Sequence, residues 1–184
     1  PAQQDPILSL SIAFRADARA DKMDLGIGVY KDSQGDTPIM QAVKTAQQQL
    51  ADSQTTKSYV GLAGNEAFNQ AMTDLLLKGT DGYSRCATVQ TPGASGALRM
   101  LGDLMYLAKP ITTVWITDPS YVNHKPVMEA AGLHVNFYPY FDSVTKQVNP
   151  EAMLAALSKA GPDDVVLLHG CCHNPTGADI RTEH

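Results

Sequence analysis

DVVLLHGCCHNPTG, residues 164–177, is the stretch that decides the fold. It begins with an apolar run and ends in a loop rich in reactive side chains. The near-continuous apolar run of residues 164–169 predicts a strand covered on both faces, as strands of a parallel sheet are. Ligands of open α/β sheets bind at the carboxyl ends of such strands. The loop at residues 170–177 is therefore the first place to look for a site.

Strand-like and helix-like segments alternate upstream of this run. We predict strands at 87–91, 112–117 and 134–140, and helices around 43–50, 66–77 (ending at Gly79), 97–108, 125–131 and from Asn149–Pro150 to Gly161. Strands that alternate with helices of this length indicate βαβ units, a mostly parallel sheet and right-handed crossovers. The first ~35 residues are rich in turn formers and are predicted to be irregular.

The composition is that of an ordinary globular protein. Of 184 residues, 43% are hydrophobic and 18% are charged, with a net charge of -5. Without a run of Lys or Arg, we expect no nucleic acid and no membrane surface as partner. We also expect no signal peptide and no membrane span. The cysteines Cys86, Cys171 and Cys172 lack the spacing of a disulfide framework, which predicts reduced thiols and a cytoplasmic location.

The segment TPGASGAL, residues 91–98, joins a predicted strand to a predicted helix through small residues. A helix start presents free N–H groups and a positive dipole end, and Ser95 adds a hydroxyl, so phosphate is the obvious ligand. The alternative is a tight βα turn without a ligand. The segment is neither a Walker A loop nor a GxGxxG fingerprint.

The segment DPSYVNH, residues 118–124, also follows a predicted strand. Tyr121 can stack on a flat ligand with His124 behind it. The alternative is a capped loop that carries a surface tyrosine.

The segment HGCCHNPTG, residues 169–177, contains two cysteines between two histidines and so suggests zinc. The usual CxxC and HExxH spacings are absent, and adjacent cysteines on a strand point in opposite directions. We therefore predict no metal site and treat the cysteines as small hydrophobic residues. Asn174–Pro175 is a candidate cis peptide.

Taken in order, each after a strand, these three motifs resemble class I aminotransferases of fold type I, from the aspartate/aromatic amino acid family. LGIGVYK (25–31), TKSYVG (56–61) and DPIL (5–8) extend the resemblance over essentially the whole chain. It implies an α/β fold in which residues 38–184 form part of the large domain's mostly parallel sheet, sandwiched by helices. Residues 1–37 would be an N-terminal arm and a small-domain segment. It also implies a homodimer, and a strand at 87–91 separated from the other three by strands from later in the chain.

The resemblance implies a pyridoxal phosphate site. Ala94 N–H and Ser95 would hold the cofactor phosphate, and Tyr59 would reach the phosphate in the other subunit. Gly28 would line the substrate. Asn174 would bind both the phenolic oxygen of the pyridine ring and the substrate carboxylate.

The same resemblance assigns the ring's surroundings. Tyr121 stands where the family usually has a tryptophan stacked on the ring, and His124 and His169 support the ring from behind. Asp118–Pro119 and Asn174–Pro175 are peptides that the family holds cis.

The implied activity moves an amino group between an aspartate-like or aromatic amino acid and 2-oxoglutarate. The family's Schiff-base lysine and both substrate-binding arginines lie further along than this chain reaches. We therefore expect an N-terminal half without a catalytic residue, inactive by itself. Two alternatives remain: a non-catalytic fragment that binds phosphate or cofactor, and a different α/β enzyme that binds a nucleotide at Gly93–Gly96. The latter lacks an acidic ribose partner and a Walker lysine.

Overall fold

The computed structural model describes residues 6–24, 26 and 28–182, and the side chains of Pro6, Ile7 and Leu8 lie outside that description. The chain divides into two units, Pro1–Tyr59 and Val60–His184. The proposed boundary after residue 37 stays a prediction. No helix in the described ranges is long and apolar enough to cross a membrane.

The described residues of the first unit form two helices, α1 (Pro6–Ala16) and α2 (Gln41–Ser53). The irregular start that we predicted is therefore wrong for α1, whose sequence has Pro at the first helical position and no breaker after it. Lys22 Nζ donates to the carbonyls of Phe14 (2.7 Å) and Asp17 (2.6 Å), near the end of α1 where carbonyls lack helical partners. Helix α2 confirms the helix predicted around 43–50.

A parallel sheet of three strands forms the centre of the second unit. Its order is β2 (His134–Pro139), β1 (Thr113–Asp118) and β5 (Val165–Val166). Thr113 pairs with His134, and Val114 pairs with both Val135 and Val165. The remaining elements are α3 (Glu66–Leu77), a 3₁₀ turn (Tyr83–Arg85), α4 (Gly93–Ala108), α5 (His124–Ala130), the hairpin β3 (Phe141–Asp142) and β4 (Gln147–Val148), and α6 (Pro150–Leu157).

Helix boundaries follow the capping residues that the sequence offers. The Asn65 side chain accepts from Phe68 N at the start of α3, and Gly79 has a φ of +87° just beyond its end, as predicted. The Asn149 side chain accepts from Ala152 N at the start of α6, with Pro150 at the first position. Helix α4 begins at Gly93, earlier than predicted, and α6 ends before Gly161.

The core lies on both faces of β1, because successive strand residues point to opposite sides. One cluster joins Val114 and Ile116 to Met128 and Leu133. A second joins Trp115 to buried residues of β2, its following loop, β4 and α6: Tyr138, Tyr140, Val148 and Met153. The central strand therefore lies between two apolar layers.

Three strand predictions need correction. Residues 87–91 are not a strand, because no described strand pairs with them and pairing defines a strand. Their backbone link is Gln90 N to the Ala63 carbonyl, at 2.9 Å. The strand predicted at 164–169 pairs only at Val165–Val166, and the one predicted at 134–140 stops at Pro139. A hairpin that we did not predict begins at Phe141.

Candidate functional site

The loop after β1 places Tyr121 and His124 against each other. Asp118–Pro119 is cis, as predicted. His124 N donates to the Tyr121 carbonyl (3.0 Å) and opens α5, while its Nδ1 lies 2.9 Å from Ser120 Oγ. The Tyr121 and His124 rings meet edge-to-face with centroids 5.4 Å apart. His124 is buried, and burial together with neighbouring His169 lowers its pKa.

The loop after β5 turns sharply at residues 171–174. Asn174–Pro175 is cis, as predicted, and Cys172 adopts a φ of +52°. The Asp179 carboxylate accepts from Cys172 N (2.9 Å) and His173 N (2.8 Å). Asn174 N donates to His169 Nδ1 at 3.1 Å. The turn is thus fixed from both sides, and no described group hydrogen-bonds the Asn174 side chain.

A row of five rings connects the two loops. The His124 and His169 centroids are 5.1 Å apart, edge-to-face. His169 stacks on His173 (4.2 Å), and His173 stacks on Tyr140 (4.0 Å). With Tyr121 at its other end, this ring row places three of the predicted site residues, Tyr121, His124 and His169, side by side.

The sequence analysis placed neither Tyr140 nor His173 of this row at the site, and it considered His173 only as a zinc ligand. His173 is 2% exposed, with Nε2 3.0 Å from Thr117 Oγ1 and Nδ1 2.8 Å from Thr176 Oγ1. Burial, with a smaller contribution from His169, lowers its pKa to about 4, so the imidazole is neutral at pH 7. Within the described residues, no group of three or more His, Cys, Asp or Glu side chains could hold a metal ion.

His169 carries a buried polar atom without a partner. Its Nδ1 accepts the Asn174 N–H, so the ring proton sits on Nε2. Nε2 is buried, and no described group hydrogen-bonds it. Leaving a buried donor unpaired costs ~1–3 kcal/mol, so this N–H is suited to an acceptor on a ligand. Burial also lowers the pKa of His169, which keeps the ring neutral.

A cavity of about 480 Å³ brings the three motifs together. Its lining includes Leu98 of α4, Tyr121 and His124 of the loop after β1, and His169 and Asn174 of the loop after β5. The walls are mostly apolar, with a few polar groups, which is the usual make-up of a site for a flat organic ligand.

The start of α4 presents unpaired donors. Gly93 has a φ of +72°, and Pro92 provides no side-chain cap. The first-turn N–H groups of Ala94 and Ser95 donate to no backbone or side-chain acceptor among the described residues. A Cβ on Gly96 would lie 2.9 Å from Pro92 Cδ, so this tight turn requires glycine there. The geometry is that of an anion cradle.

Tyr59 and Gly28 belong to the first unit. The Tyr59 side chain is fully exposed, and a Cβ on Gly28 would meet no heavy atom within 4 Å. Their predicted roles at the phosphate and the substrate stay predictions.

Residues 20–184 match the family model described as "Aminotransferase class I and II". The chain belongs to this family. It is 48% identical over 185 residues to the aspartate aminotransferase of Salmonella typhi, covering 99% of this chain and 47% of that protein. It is 47% identical over 183 residues to the aromatic-amino-acid aminotransferase of Paracoccus denitrificans, covering 100% and 46%.

A solved aminotransferase structure has the same fold. The aromatic-amino-acid aminotransferase of Burkholderia pseudomallei, covalently bound to pyridoxal phosphate, superposes with a TM-score of 0.95 at 38% identity, covering all of this chain and 47% of that one. The α/β fold expected from the resemblance is therefore confirmed. The chain spans about half the length of the curated relatives it matches.

Proposed function

We propose that the polypeptide to which these residues belong is a pyridoxal-phosphate-dependent aminotransferase of amino acid metabolism. It would move an amino group between an aspartate-like or aromatic amino acid and a 2-oxo acid such as 2-oxoglutarate. The cavity lined by α4 and by the loops after β1 and β5 carries this proposal. The lysine that binds the cofactor is expected in the part of the family's sequence that this chain does not cover.

The start of α4 fits the cofactor phosphate. Ala94 and Ser95 offer N–H groups without acceptors, Ser95 adds a hydroxyl, and the helix dipole favours a dianion at this end. The Ser95 side chain makes no hydrogen bond with a described residue, so it is available to the ligand.

The cavity fits the pyridine ring. Bound there, pyridoxal phosphate supplies an electron sink for the amino acid's α-carbon. Tyr121 offers an aromatic face, and the Asn174 amide is available to donate to the phenolic oxygen. The buried, unpaired Nε2–H of His169 supports a polar partner on this side, and neutral His124 and His169 add no charge behind the ring.

The substrate, dimer and location belong to the same proposal. Tyr59, fully exposed, is proposed to reach the cofactor phosphate of a second subunit in a homodimer, and Gly28 to line the substrate. Cys86, Cys171 and Cys172 are unpaired and exposed, which supports the cytoplasmic location.

The first experiment is an intact mass of the native protein after incubation with pyridoxal phosphate and borohydride reduction. One cofactor adduct on a protein well above 19.7 kDa supports the aminotransferase. A mass near 19.7 kDa without an adduct contradicts it and leaves a fragment that holds phosphate or cofactor without turnover.

Two variants test the assigned residues. Ser95→Ala removes a hydrogen bond to a charged group and is expected to weaken cofactor binding about tenfold or more. Asn174→Ala is expected to shift the absorbance of the bound cofactor. Ser158→Ala, at the exposed end of α6, is the control. If Ser95→Ala and Asn174→Ala both bind and absorb like the parent, the assigned roles are wrong.

A further inference from the structure

Asp179 binds the turn before Asn174 with both of its carboxylate oxygens. Oδ2 accepts from Cys172 N at 2.9 Å and Oδ1 from His173 N at 2.8 Å. Consecutive backbone N–H groups that face one anion form a nest, a concave site that favours a carboxylate. Here the anion comes from the same chain.

The nest holds a backbone shape that Cys172 disfavours. A φ of +52° crowds the side chain of a residue other than glycine and is therefore an unfavourable conformation for Cys172. Such a conformation persists only where surrounding contacts fix it, and Asp179 accepts the N–H of this residue and of the next one. Without the carboxylate, we expect the turn to relax.

The turn determines where Asn174 lies. Asn174 N donates to His169 Nδ1 (3.1 Å), and Gly177 N donates to the His173 carbonyl (2.7 Å). Asn174 lines the cavity, whereas Asp179 does not. Asp179 therefore does not touch a ligand in the cavity, and its hydrogen bonds act on that ligand through the turn.

The two bonds require a carboxylate. The backbone N–H bonds from His173 and Cys172 hold the pKa of Asp179 below its ordinary value, so the group is ionised at neutral pH. An asparagine there keeps the size but has one accepting oxygen, and its NH₂ group would face a backbone N–H.

We infer that Asp179 is a positioning residue for the cofactor site, which fixes the turn of residues 171–174 and thereby directs the Asn174 side chain toward the ring. This inference rests on the proposed function for the identity of the ring.

The first measurement uses hydrogen–deuterium exchange of the native protein without added cofactor. Asp179→Asn is expected to speed exchange of the Cys172 and His173 amides about tenfold, since each loses a charged acceptor or faces a repelling donor. Asp164→Asn is the matched control, because Asp164 also accepts two backbone N–H groups, but at the amino end of the sheet. Unchanged exchange in Asp179→Asn overturns the inference.

The second measurement is the absorbance of bound pyridoxal phosphate as a function of pH. Asn174 donates to the phenolic oxygen in our proposal, so Asn174→Ala moves the midpoint of the spectral transition upward. Asp179→Asn should move it in the same direction by less, and add nothing in the Asn174→Ala background. A shift that persists in that background means that Asp179 does not act through Asn174.

Failure of the two ideas can be told apart. If the parent protein shows no cofactor absorbance, the proposed function is wrong. Faster amide exchange in Asp179→Asn would in that case still show that Asp179 fixes the turn. A parent that binds the cofactor, with a variant of identical exchange and spectrum, sinks the positioning role alone.

Discussion

The two ends of β1 differ in how their polar groups are satisfied. At the amino end, Asp164 Oδ2 accepts from Trp115 Nε1 (2.9 Å) and Gly161 N (2.8 Å), and Oδ1 accepts from Thr113 N (3.3 Å). Each of these donors has its partner inside the unit. Asp164 thus ties the chain between α6 and β5 to the central strand, and it satisfies these three donors within the described residues.

The carboxyl end leaves several polar groups open. His169 Nε2 is buried without a described partner, and the Asn174 side chain and the Ser95 N–H and hydroxyl are also unbonded. Nearly all buried polar groups in proteins are paired, so the unpaired Nε2 of His169 indicates a ligand at the cavity that it lines, and the exposed Asn174 amide lines the same cavity. Polar residues at the amino end of β1 therefore stabilise the sheet, whereas those at the carboxyl end are available to a ligand.

Acid is the strongest test of this contrast. The His173 pKa of about 4 lies below the ordinary value near 6.5, so between these values the unfolded chain binds more protons than the folded one. Stability is therefore full above the unfolded pKa and falls as pH drops toward 4, by up to about 3 kcal/mol. His169 and His124, whose pKa values are also lowered, act in the same direction, and Asp179 opposes them.

The amino end responds to acid only at lower pH. The Trp115 hydrogen bond lowers the pKa of Asp164, so its contribution is present above the unfolded pKa and lost as pH falls through the folded one. Urea denaturation at pH 7 and pH 5 should thus show a loss of about 2 kcal/mol that arises at the carboxyl end. His173→Phe keeps a ring between Tyr140 and His169 and should flatten this pH dependence. An unchanged slope in that variant contradicts the assignment.

The same contrast explains what the sequence could predict about the fold. Strand β1, helix α5 and the Asn149 cap depend on local pattern, and all three are present. The strand at 87–91 depends on a partner that its own residues cannot specify. The hairpin at Phe141 has strands of two residues, too short for a periodic signal.

The site was predictable in part for a similar reason. Motifs and family resemblance point to Tyr121, His124, His169 and Asn174, which the structure gathers at one cavity. They do not point to Asp179 or His173, whose importance comes from contacts made after folding. For His173 the distinguishing feature is burial between the Thr117 and Thr176 hydroxyls, and only the three-dimensional structure reveals it.

Trp115→Phe should change stability without changing the site. Trp115 is 9% exposed, and the phenyl ring lacks the N–H that Asp164 accepts, so we expect a loss of about 2 kcal/mol in urea denaturation. The dissociation constant for pyridoxal phosphate should stay within about threefold of the parent. A tenfold change would need a loss of ~1.4 kcal/mol in binding free energy, and the lost hydrogen bond lies at the amino end of the strand, away from the proposed cofactor site. Ser95→Ala should give the reverse pattern. A large change in cofactor affinity for Trp115→Phe would mean that the two ends are coupled.

Gly102→Ala tests whether a change in core packing on α4 affects both the stability of the fold and the proposed cofactor site. Gly102 is buried on α4, and a Cβ there would lie 2.9 Å from Ala131 Cβ, a short side chain that cannot turn away. Alanine in a helix interior gains about 1 kcal/mol over glycine, while overpacking costs about 1–3 kcal/mol.

The clash outweighs the propensity gain, so Gly102→Ala should lower the free energy of unfolding by about 1 kcal/mol. Helix α4 must move away from α5, and the start of α4 carries Ala94 and Ser95, so cofactor affinity should fall as well. Gly61→Ala is the control, since no heavy atom lies within 4 Å of its Cβ position. A Gly102→Ala protein more stable than the parent would show that α4 can shift freely, and the donors at its start would then not be preorganised for phosphate.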